Sequence, residues 1–395
     1  MKILHVVPSF YPAHIYGGPI ESVYALCRYS AEQDCQVKVL TTDANGLDQV
    51  LPVATEREVT LAGTIQVRYC RRLARHSVSM ELLRRLIEYV RWADVVHLTA
   101  VYSFPTLPTL FACKLLNKPL VWSPRGALQR WRGSTKVGRK KLWQALCSRL
   151  APRDFVLHIT SVEEAEESRA AFPRAHRTII ANGVEIALPS THRPVSEAFQ
   201  LVFLGRLDPK KGIENLLDAC ARLQKQSTID FELTIAGAGE PAYTQSLRER
   251  IAALDLGARV SMPGLLQGQA KEALFAQASV VIVPSHTENF AMVVAEALAH
   301  GVPVIASKGT PWQRLEEKDC GLWVDNDPQS LTDAIRRMAT LPGKAMGERG
   351  RAWMNKEFSW RERAEKMIRL YQDRLRARAQ TAPTKAASST ESAPR

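Results

Sequence analysis

Two glutamates eight residues apart, Glu288 and Glu296, have the spacing in this sequence that most clearly suggests a ligand site. The apolar run 280–283 predicts a strand, and the residues from Asn289 onward predict a helix. A rise of about 1.5 Å per residue then separates the two carboxylates by roughly 12 Å, and the backbone N–H groups at the helix start between them attract anions. A ligand with hydroxyls at both ends and phosphates between them, such as a sugar nucleotide, fits this layout. In the alternative interpretation Glu288 complements the helix dipole and Glu296 is a solvated helix residue.

Two cations follow the first strand of the second half of the chain, predicted at 201–204. Arg206 and Lys211 would lie at the carboxyl edge of a parallel sheet, where open α/β proteins bind ligands. They could stabilise the charge that develops on a departing diphosphate, which makes both of them, with Glu288, candidate catalytic residues. The alternative is that they are ordinary surface residues, and Lys210 is the expected bystander of the lysine pair.

Glycine turns follow several predicted strands. Gly17 and Gly18 come after the first strand and open a helix, where missing Cβ atoms let a phosphate approach the backbone. Gly237 and Leu265 follow two later strands and could line a nucleotide pocket. Each turn taken alone is equally an ordinary turn, and the absence of a G-x-G-x-x-G segment argues against a nicotinamide dehydrogenase.

The sequence indicates neither a metal site nor a membrane span. Asp325 and Asp327 have a D-x-D spacing, but Asp327 precedes Pro328 and is predicted to be a helix N-cap. The seven cysteines form no C-x-x-C pair, which favours reduced core residues. No apolar run reaches about 18 residues and no signal peptide is evident, so a cytoplasmic location is expected. We expect no metal and no cofactor.

The net charge of +13 is concentrated in the first half of the chain. Residues 1–190 contain 25 lysines and arginines against 16 aspartates and glutamates, and no acidic residue lies between Asp94 and Asp154. Such a region favours an anionic partner: a phosphorylated substrate, an anionic membrane surface or nucleic acid. A solvated basic face without a partner is the alternative. Nucleic acid is disfavoured because the region contains no recognisable binding motif.

Alternating strand and helix patterns predict two Rossmann-like, doubly wound domains. The first set of strands begins with residues 2–7, and the pattern restarts after a polar stretch at 185–196. We predict an N-terminal domain at 1–190, a C-terminal domain at 191–360, a helix at 361–378 and a disordered tail at 379–395.

These motifs together resemble the retaining glycosyltransferases of family 4 (glycosyl transferases group 1), which have the GT-B fold. The resemblance covers residues 1 to about 375 and is most specific in the second half. The segments that carry it are Gly17-Gly18, Gly205-Arg206, Lys211-Gly212, 236–239, the Glu288/Glu296 block and 301–306. Residues 123–128, 182–183, 310–312 and 321–324 are similar to the branch that builds bacterial surface polysaccharides.

The resemblance implies roles for the residues of the donor site. Glu288 would contact the donor sugar, Asn289 and Phe290 would offer backbone amides to the distal phosphate and the sugar, and Glu296 would hold the ribose. Arg206 and Lys211 would bind the diphosphate, with help from Gly18. The resemblance also implies that an N-terminal acceptor-binding domain, 1–190, and a C-terminal donor-binding domain, 191–360, face each other across a cleft. It further implies that the last helix crosses back to the first domain.

On the acceptor side the sequence departs from the family. Arg125 stands where the family often has a histidine in a Pro-x-Gly turn. His97 ends the strand predicted at 95–98, and is either a cleft residue or a histidine satisfied within the core.

The expected function is metal-independent transfer of a hexose from a nucleotide-diphosphate sugar to an acceptor hydroxyl, with retention. The expected acceptor is a glycan or polyprenyl-diphosphate-linked saccharide of exopolysaccharide, O-antigen or capsule synthesis, on the inner face of the cell membrane. The alternatives are a nucleotide-sugar-binding regulator, a relative that uses sucrose or phosphate, and a transferase with a soluble acceptor.

Overall fold

The computed structural model describes residues 1–75, 77–128, 137–186, 197–227 and 229–381. Two mainly parallel sheets organise this part of the chain, and helices cover both faces of each sheet. The strands of the N-terminal half are β1 (Lys2–Val6), β2 (Gln36–Thr42), β3 (Ala44–Asn45), β4 (Gln49–Val50), β5 (Val59–Leu61), β6 (Ile65–Cys70), β7 (Val95–Thr99), β8 (Leu120–Ser123), β9 (Val156–Ile159) and β10 (His176–Ile179). Its helices are α1 (Gly18–Ala31), α2 (Met80–Trp92), α3 (Thr106–Leu115), α4 (Val137–Leu150) and α5 (Val162–Ala171), with a 3-10 turn at His14–Tyr16.

The first sheet has the order β10-β9-β8-β7-β1-β2-β6-β5, and only the β5–β6 pair is antiparallel. Near-continuous runs of Val, Ile and Leu form the central strands because both faces of the sheet are buried. The apolar runs predict these central strands to within two residues. They miss the edge strands β5 and β10 and the small β3–β4 hairpin, since β10 is a partly exposed His-Arg-Thr-Ile segment and β5 has only three residues.

The second half of the chain forms a sheet in the order β13-β12-β11-β14-β15-β16, parallel throughout. This is the order of a dinucleotide-binding domain, with a change in winding direction between β11 and β14. Its strands are β11 (Phe199–Leu204), β12 (Phe231–Ala236), β13 (Val260–Gly264), β14 (Val280–Val283), β15 (Val304–Ser307) and β16 (Gly321–Val324). The helices are α6 (Ile213–Gln226), α7 (Pro241–Ala253), α8 (Gly268–Gln277), α9 (Met292–Ala299), α10 (Pro328–Thr340), α11 (Gly343–Phe358) and α12 (Trp360–Thr381), with 3-10 turns at Pro209–Lys211 and Gln313–Leu315.

Helix α12 leaves the second domain and packs on α1 of the first. Ala364, Met367 and Tyr371 are buried there in the same core as Ile3 of β1. The helix begins at Trp360 and extends to Thr381, so 379–381, which the sequence assigned to a tail, are helical. The rest of the predicted disordered tail, and the predicted domain boundary at residue 190, lie outside the described residues.

The chain passes between the domains at two points that lie side by side. The Val184 amide donates to the Phe358 carbonyl at 2.7 Å, and Val184 forms a parallel bridge with Ser359. A Cβ atom on Gly183 would lie 2.5 to 2.8 Å from atoms of Trp360, including its Cα. Only glycine allows the two segments to approach this closely.

Candidate active site

The loop between β14 and α9, residues 284–291, carries Glu288, and its geometry corrects one prediction. Helix α9 begins at Met292, not near Asn289, so Glu288, Asn289 and Phe290 belong to the loop. Ala291 caps the helix with a left-handed backbone (φ 59°) and no side-chain hydrogen bond. The N–H groups of the first helical turn therefore have no side-chain cap, which suits an anionic ligand.

Glu288 and Lys211 form an ion pair at the carboxyl edge of the second sheet. The Lys211 ammonium contacts Oε1 of Glu288, and the Ser285 hydroxyl donates to the same oxygen at 2.8 Å. The Glu288 side chain is 12 % exposed and the Lys211 side chain 21 %. Ser285 was not among the predicted site residues; its only sequence signal was its place directly after β14.

Glycines let the turns of this edge stack closely enough for such contacts. A Cβ atom on Gly212 (φ 63°) would lie 2.1 Å from the carbonyl oxygen of Pro284. A Cβ atom on Gly237 would lie 1.7 Å from the carbonyl oxygen of Gly205. Gly212 therefore holds the turn with Lys211 against the loop with Glu288, and Gly237 holds the turn after β12 against the same edge.

The other two cations of the edge differ in exposure. Arg206 is exposed, and its guanidinium lies 3.7 Å from the Asp208 carboxylate. Lys210 is partly buried, and burial lowers the pKa of its ammonium, an effect that nearby Glu288 opposes. Arg206 and Lys211 are near enough to Lys210 for their charges to lower its pKa further, so the three cations lie close together at this edge.

Glu296 lies on α9 and is paired. The Lys271 ammonium, from α8, contacts a Glu296 oxygen at 2.8 Å, and the Glu296 side chain is 20 % exposed. Lys271 was not among the site residues predicted from the sequence, because it lies in a helix without a recognisable motif.

Leu265 follows β13 and is 51 % exposed at the same edge. The Asp327 side chain accepts from the amides of Gln329 and Ser330, which confirms the predicted N-cap.

Aromatic packing fixes the second half of the 284–291 loop. Phe290 is buried with its ring centroid 5.2 Å from that of Trp312, and the Trp312 indole N–H donates to the Phe290 carbonyl at 2.5 Å. The Glu288 amide donates to the carbonyl of Gly309 at 2.8 Å. These contacts hold the backbone on both sides of Asn289 to neighbouring loops of the same domain.

The start of α9 meets the start of α1 from the other domain. Gly17 has a positive φ (71°) and precedes α1, and a Cβ atom on Gly18 would lie 3.1 Å from Cγ of Met292. Two helix N-termini from different domains therefore face the same space, and each carries a partial positive charge.

Of the two interpretations of His97, the structure agrees with a histidine whose hydrogen bonds are satisfied within the core. Its Nδ1 lies 2.5 Å from the Tyr371 hydroxyl and its Nε2 lies 2.6 Å from the Ser123 hydroxyl, and the side chain is buried. The Ser123 hydroxyl also lies 2.7 Å from Nδ1 of His158, whose Nε2 is 2.9 Å from the Ile180 carbonyl. Since that carbonyl can only accept, the protons are ordered along the chain: Ser123 donates to His158, His97 to Ser123, and Tyr371 to His97.

Arg125 lies beside these histidines. Its guanidinium donates to Oδ1 of Asn182, close to the interdomain crossing, and its backbone is left-handed (φ 54°). Burial, and then the charge of Arg125, lower the pKa of His5 and of His158 to about 3. Burial and the neighbouring histidines hold the pKa of His97 well below its usual value. This arrangement keeps the histidines neutral.

Two mainly parallel sheets, a close crossing between the domains and a helix that returns from the second domain to the first define a two-domain α/β architecture. The family model described as Glycosyltransferase Family 4 matches residues 16–188, and the model for Glycosyl transferases group 1 matches residues 187–367. The chain belongs to the family 4 glycosyltransferases, which have the GT-B fold, as the sequence predicted.

Relatives and solved structures agree with this assignment. The chain is 30% identical to D-inositol 3-phosphate glycosyltransferase of Saccharomonospora viridis over 46% of this chain and 44% of that protein. It is 27% identical to the putative colanic acid biosynthesis glycosyltransferase WcaL of Escherichia coli over 48% of each. The match therefore spans a little under half the length of these relatives. The structure of Anabaena HepE in complex with UDP-glucose superposes with a TM-score of 0.72 at 19% identity, covering 94% of this chain and 100% of that chain.

Proposed function

We propose that the chain transfers a hexose from a nucleotide-diphosphate sugar to an acceptor hydroxyl, with retention at the anomeric carbon. The pairing of Glu288 with Lys211, beside two facing helix N-termini, carries the proposal. A diphosphate suits the cations and the helix starts, and Glu288 is the carboxylate beside them that can accept from sugar hydroxyls. The complex of HepE with UDP-glucose and the family membership support this donor class. Retention is the expectation carried by the family resemblance.

In the proposed reaction the bond from the anomeric carbon to the diphosphate breaks and a bond to the acceptor oxygen forms. Arg206 and Lys211 stabilise the negative charge on the departing diphosphate. The acceptor proton passes to a diphosphate oxygen on the same face of the sugar. Glu288 holds the sugar through its hydroxyls, Glu296 holds the ribose, and the backbone at Asn289 and Phe290 faces the distal phosphate. Gly18, Gly237 and Leu265 line the remaining pocket. No metal or cofactor is needed in this scheme.

A donor panel tests the proposal. UDP-glucose, UDP-galactose, UDP-N-acetylglucosamine, GDP-mannose and ADP-glucose are screened by thermal shift, and release of the nucleoside diphosphate is then measured with the best binder. We expect the nucleotide sugars of one base to stabilise the protein. We expect release of the corresponding nucleoside diphosphate to depend on the presence of an acceptor. Binding of a donor without release under any acceptor condition would favour the nucleotide-sugar-binding regulator instead.

We also propose a lipid-linked acceptor at an anionic membrane surface inside the cell. Helices α3 and α4 present four exposed apolar side chains within an exposed basic surface. Phe111, Leu115, Leu142 and Leu146 are 51, 63, 67 and 41 % exposed. Among them lie Lys114, Arg139, Lys141 and Arg149. We call these eight residues the basic apolar face.

The basic apolar face suits a shallow insertion into a membrane interface. Trp143 and Gln144 anchor the opposite side of α4, since the Trp143 indole donates to the Val101 carbonyl at 2.8 Å and Gln144 donates to the Tyr102 hydroxyl at 2.6 Å. The cations of this face are attracted to acidic head groups, and its leucines can bury apolar area at the acyl boundary below the head groups. In the described part of the chain, no helix has both the length and the apolar character to cross a bilayer. The basic residues Arg130, Arg132 and Lys136 belong to the same sequence region but lie outside the described residues.

Vesicle sedimentation tests this surface. We expect the protein to bind vesicles containing phosphatidylglycerol, not pure phosphatidylcholine, and to be released by salt. The double variant Leu142→Ser, Leu146→Ser should lower the partition coefficient by about tenfold or more, since each leucine loses its burial in the interface. The matched control is Leu47→Ser, a leucine 63 % exposed elsewhere on the same domain. Equal binding of the double variant and the control would overturn the role of the basic apolar face, and absence of binding by the native chain would favour a soluble acceptor.

A further inference from the structure

A hydrogen-bonded contact joins the two domains within the cleft, directly beside Glu288. The Asn289 carboxamide from the 284–291 loop meets Thr160 and Glu164 of the N-terminal domain. In the orientation in which the carboxamide nitrogen faces the carboxylate, that nitrogen lies 3.1 and 3.0 Å from the two Glu164 oxygens and the carboxamide oxygen lies 2.8 Å from the Thr160 hydroxyl. The partners are 125 residues or more apart in the sequence.

Glu164 is built firmly into its own domain. Its side chain is fully buried in the first turn of α5, and it accepts from the Gly126 amide at 2.7 Å and from the Thr160 amide at 2.8 Å. The Thr160 hydroxyl lies 2.9 Å from the same carboxylate. A buried carboxylate held by several donors is rigid, because each bond restricts its rotation and desolvation makes any loss costly.

Asn289, by contrast, lies between the two residues that fix the loop in the other domain. Glu288 precedes it and Phe290, held by Trp312, follows it. A bond from Asn289 to a rigid partner therefore sets the position of Glu288 relative to the N-terminal domain. A hydrogen bond to an ionised acceptor is about twice as strong as a neutral one.

One helical turn further along α5, Glu167 faces the same side. The pKa of Glu167 is raised to about 7, mainly by burial and then by the charge of Glu164, and the charge of Lys210 from the other domain opposes this shift. The side of α5 that carries Glu164 is thus turned toward the edge with Lys210 and Lys211.

We propose that Glu164 is a positioning residue that holds Asn289, and with it Glu288, at a fixed place relative to the N-terminal domain during transfer. The inference rests on the proposed transfer reaction. The bridge is made when the two domains stand as in this structure, and it aligns the donor sugar with an acceptor bound to the N-terminal domain. Nucleotide binding belongs to the C-terminal domain and should depend on the bridge much less than transfer does.

Variants at Asn289 test the bridge without altering the buried carboxylate. Asn289→Ala should lower kcat about 10- to 100-fold, the loss expected for one hydrogen bond to a charged group. Asn289→Asp has nearly the same shape but places a carboxylate against Glu164, so it should be worse than Asn289→Ala. A residue needed only for packing would give the opposite order. The affinity for UDP or GDP, whichever the donor panel selects, should change less than about threefold in both variants.

A conformational readout separates this inference from the proposed function. Small-angle scattering should show a larger radius of gyration for Asn289→Asp than for the native chain, whether or not a donor has been found. Glu166→Gln, which changes an exposed carboxylate of α5 paired only with Arg169 among the described residues, is the control with native kcat and native radius.

Equal activity of the native chain and Asn289→Asp, or an Asp variant more active than the Ala variant, would overturn the bridge. The proposed function would be rejected, and the bridge retained, by a third outcome. In it the native chain transfers sugar from no donor, yet the radius of gyration of the Asn289→Asp variant is larger than that of the native chain.

Discussion

The two sheets share one architecture but use their carboxyl ends in opposite ways. In the C-terminal domain, the ion pairs Lys211–Glu288 and Lys271–Glu296 lie partly exposed at the cleft. In the N-terminal domain, Ser123, His97 and His158 near the strand ends form a buried, neutral hydrogen-bonded network, and α12 covers it with Tyr371. Charges kept near water remain able to exchange partners with a ligand, whereas a neutral buried network stabilises one arrangement. The comparison predicts that changes at the first edge affect activity and changes at the second affect stability.

The largest expected effect is loss of transfer at the C-terminal edge. Lys211→Met and Glu288→Gln should each lower kcat/KM by about a thousandfold, because stabilisation of the leaving group or the grip on the sugar is removed. The free energy of unfolding should fall by at most about 3–5 kcal/mol, since each variant removes one partner of a largely buried pair, so transfer is measured well below the unfolding temperature of each variant. The control is Lys308→Met, which breaks the exposed Lys308–Asp325 pair of the same sheet edge and should leave transfer unchanged. Native activity in either test variant would remove the distinction between the edges.

Acid should unfold the protein through the N-terminal edge. His5, His97 and His158 are held neutral, so their stabilising effect is fully present above pH 6.5 and is lost as the pH falls from 6.5 toward 3. Each such histidine lowers the free energy of unfolding by up to about 1.4 kcal/mol per pH unit in that range. Chemical denaturation between pH 8 and pH 5 measures the slope.

A variant identifies the groups responsible for that slope. His5 stacks on His97 with ring centroids 4.8 Å apart, and neither His5 ring nitrogen has a hydrogen bond within the described residues. His5→Phe should therefore keep the packing and reduce the acid slope by one titrating group. An unchanged slope would mean that acid acts elsewhere.

The interdomain crossing should tolerate little change. Gly183→Ala introduces a Cβ atom within 2.5 to 2.8 Å of Trp360 atoms, and we expect a loss of about 1–3 kcal/mol in the free energy of unfolding. Gly257→Ala is the control, at a glycine whose Cβ position is open and which, like Gly183, has no positive φ. Equal unfolding midpoints in the two variants would show that the two segments at the crossing can move apart to accommodate a Cβ atom at residue 183.

The smallest effect concerns the contact between α12 and the buried network. Tyr371→Phe removes the donor to Nδ1 of His97 and should cost about 1 kcal/mol, the usual net value of a hydrogen bond. Transfer at saturating substrate should stay native below the unfolding temperature. A large loss of kcat with native stability would show that this network takes part in the reaction. The N-terminal edge would then affect activity as the C-terminal edge does.

Much of the fold follows from local pattern. Apolar runs predicted β8, β14 and β16 with their bounds, and Asp327 with Pro328 predicted the start of α10. The start of α9 was predicted three residues too early. The residues before Met292 have helix-compatible side chains, but two hydrogen bonds hold them as a loop: the Glu288 amide donates to the Gly309 carbonyl, and the Trp312 indole donates to the Phe290 carbonyl.

Spacing and residue type alone placed Glu288, Glu296, Arg206 and Lys211 at strand ends, because parallel strands bring their carboxyl ends to one edge. They could not pair Lys211 with Glu288, choose between the alternatives for His97, or show that Asn289 meets Glu164. Each of those outcomes depends on partners between 77 and 274 residues away. Local propensity is a property of neighbours in the chain, whereas ion pairs, buried protons and the bridge across the cleft exist only once two domains and a returning helix have packed together.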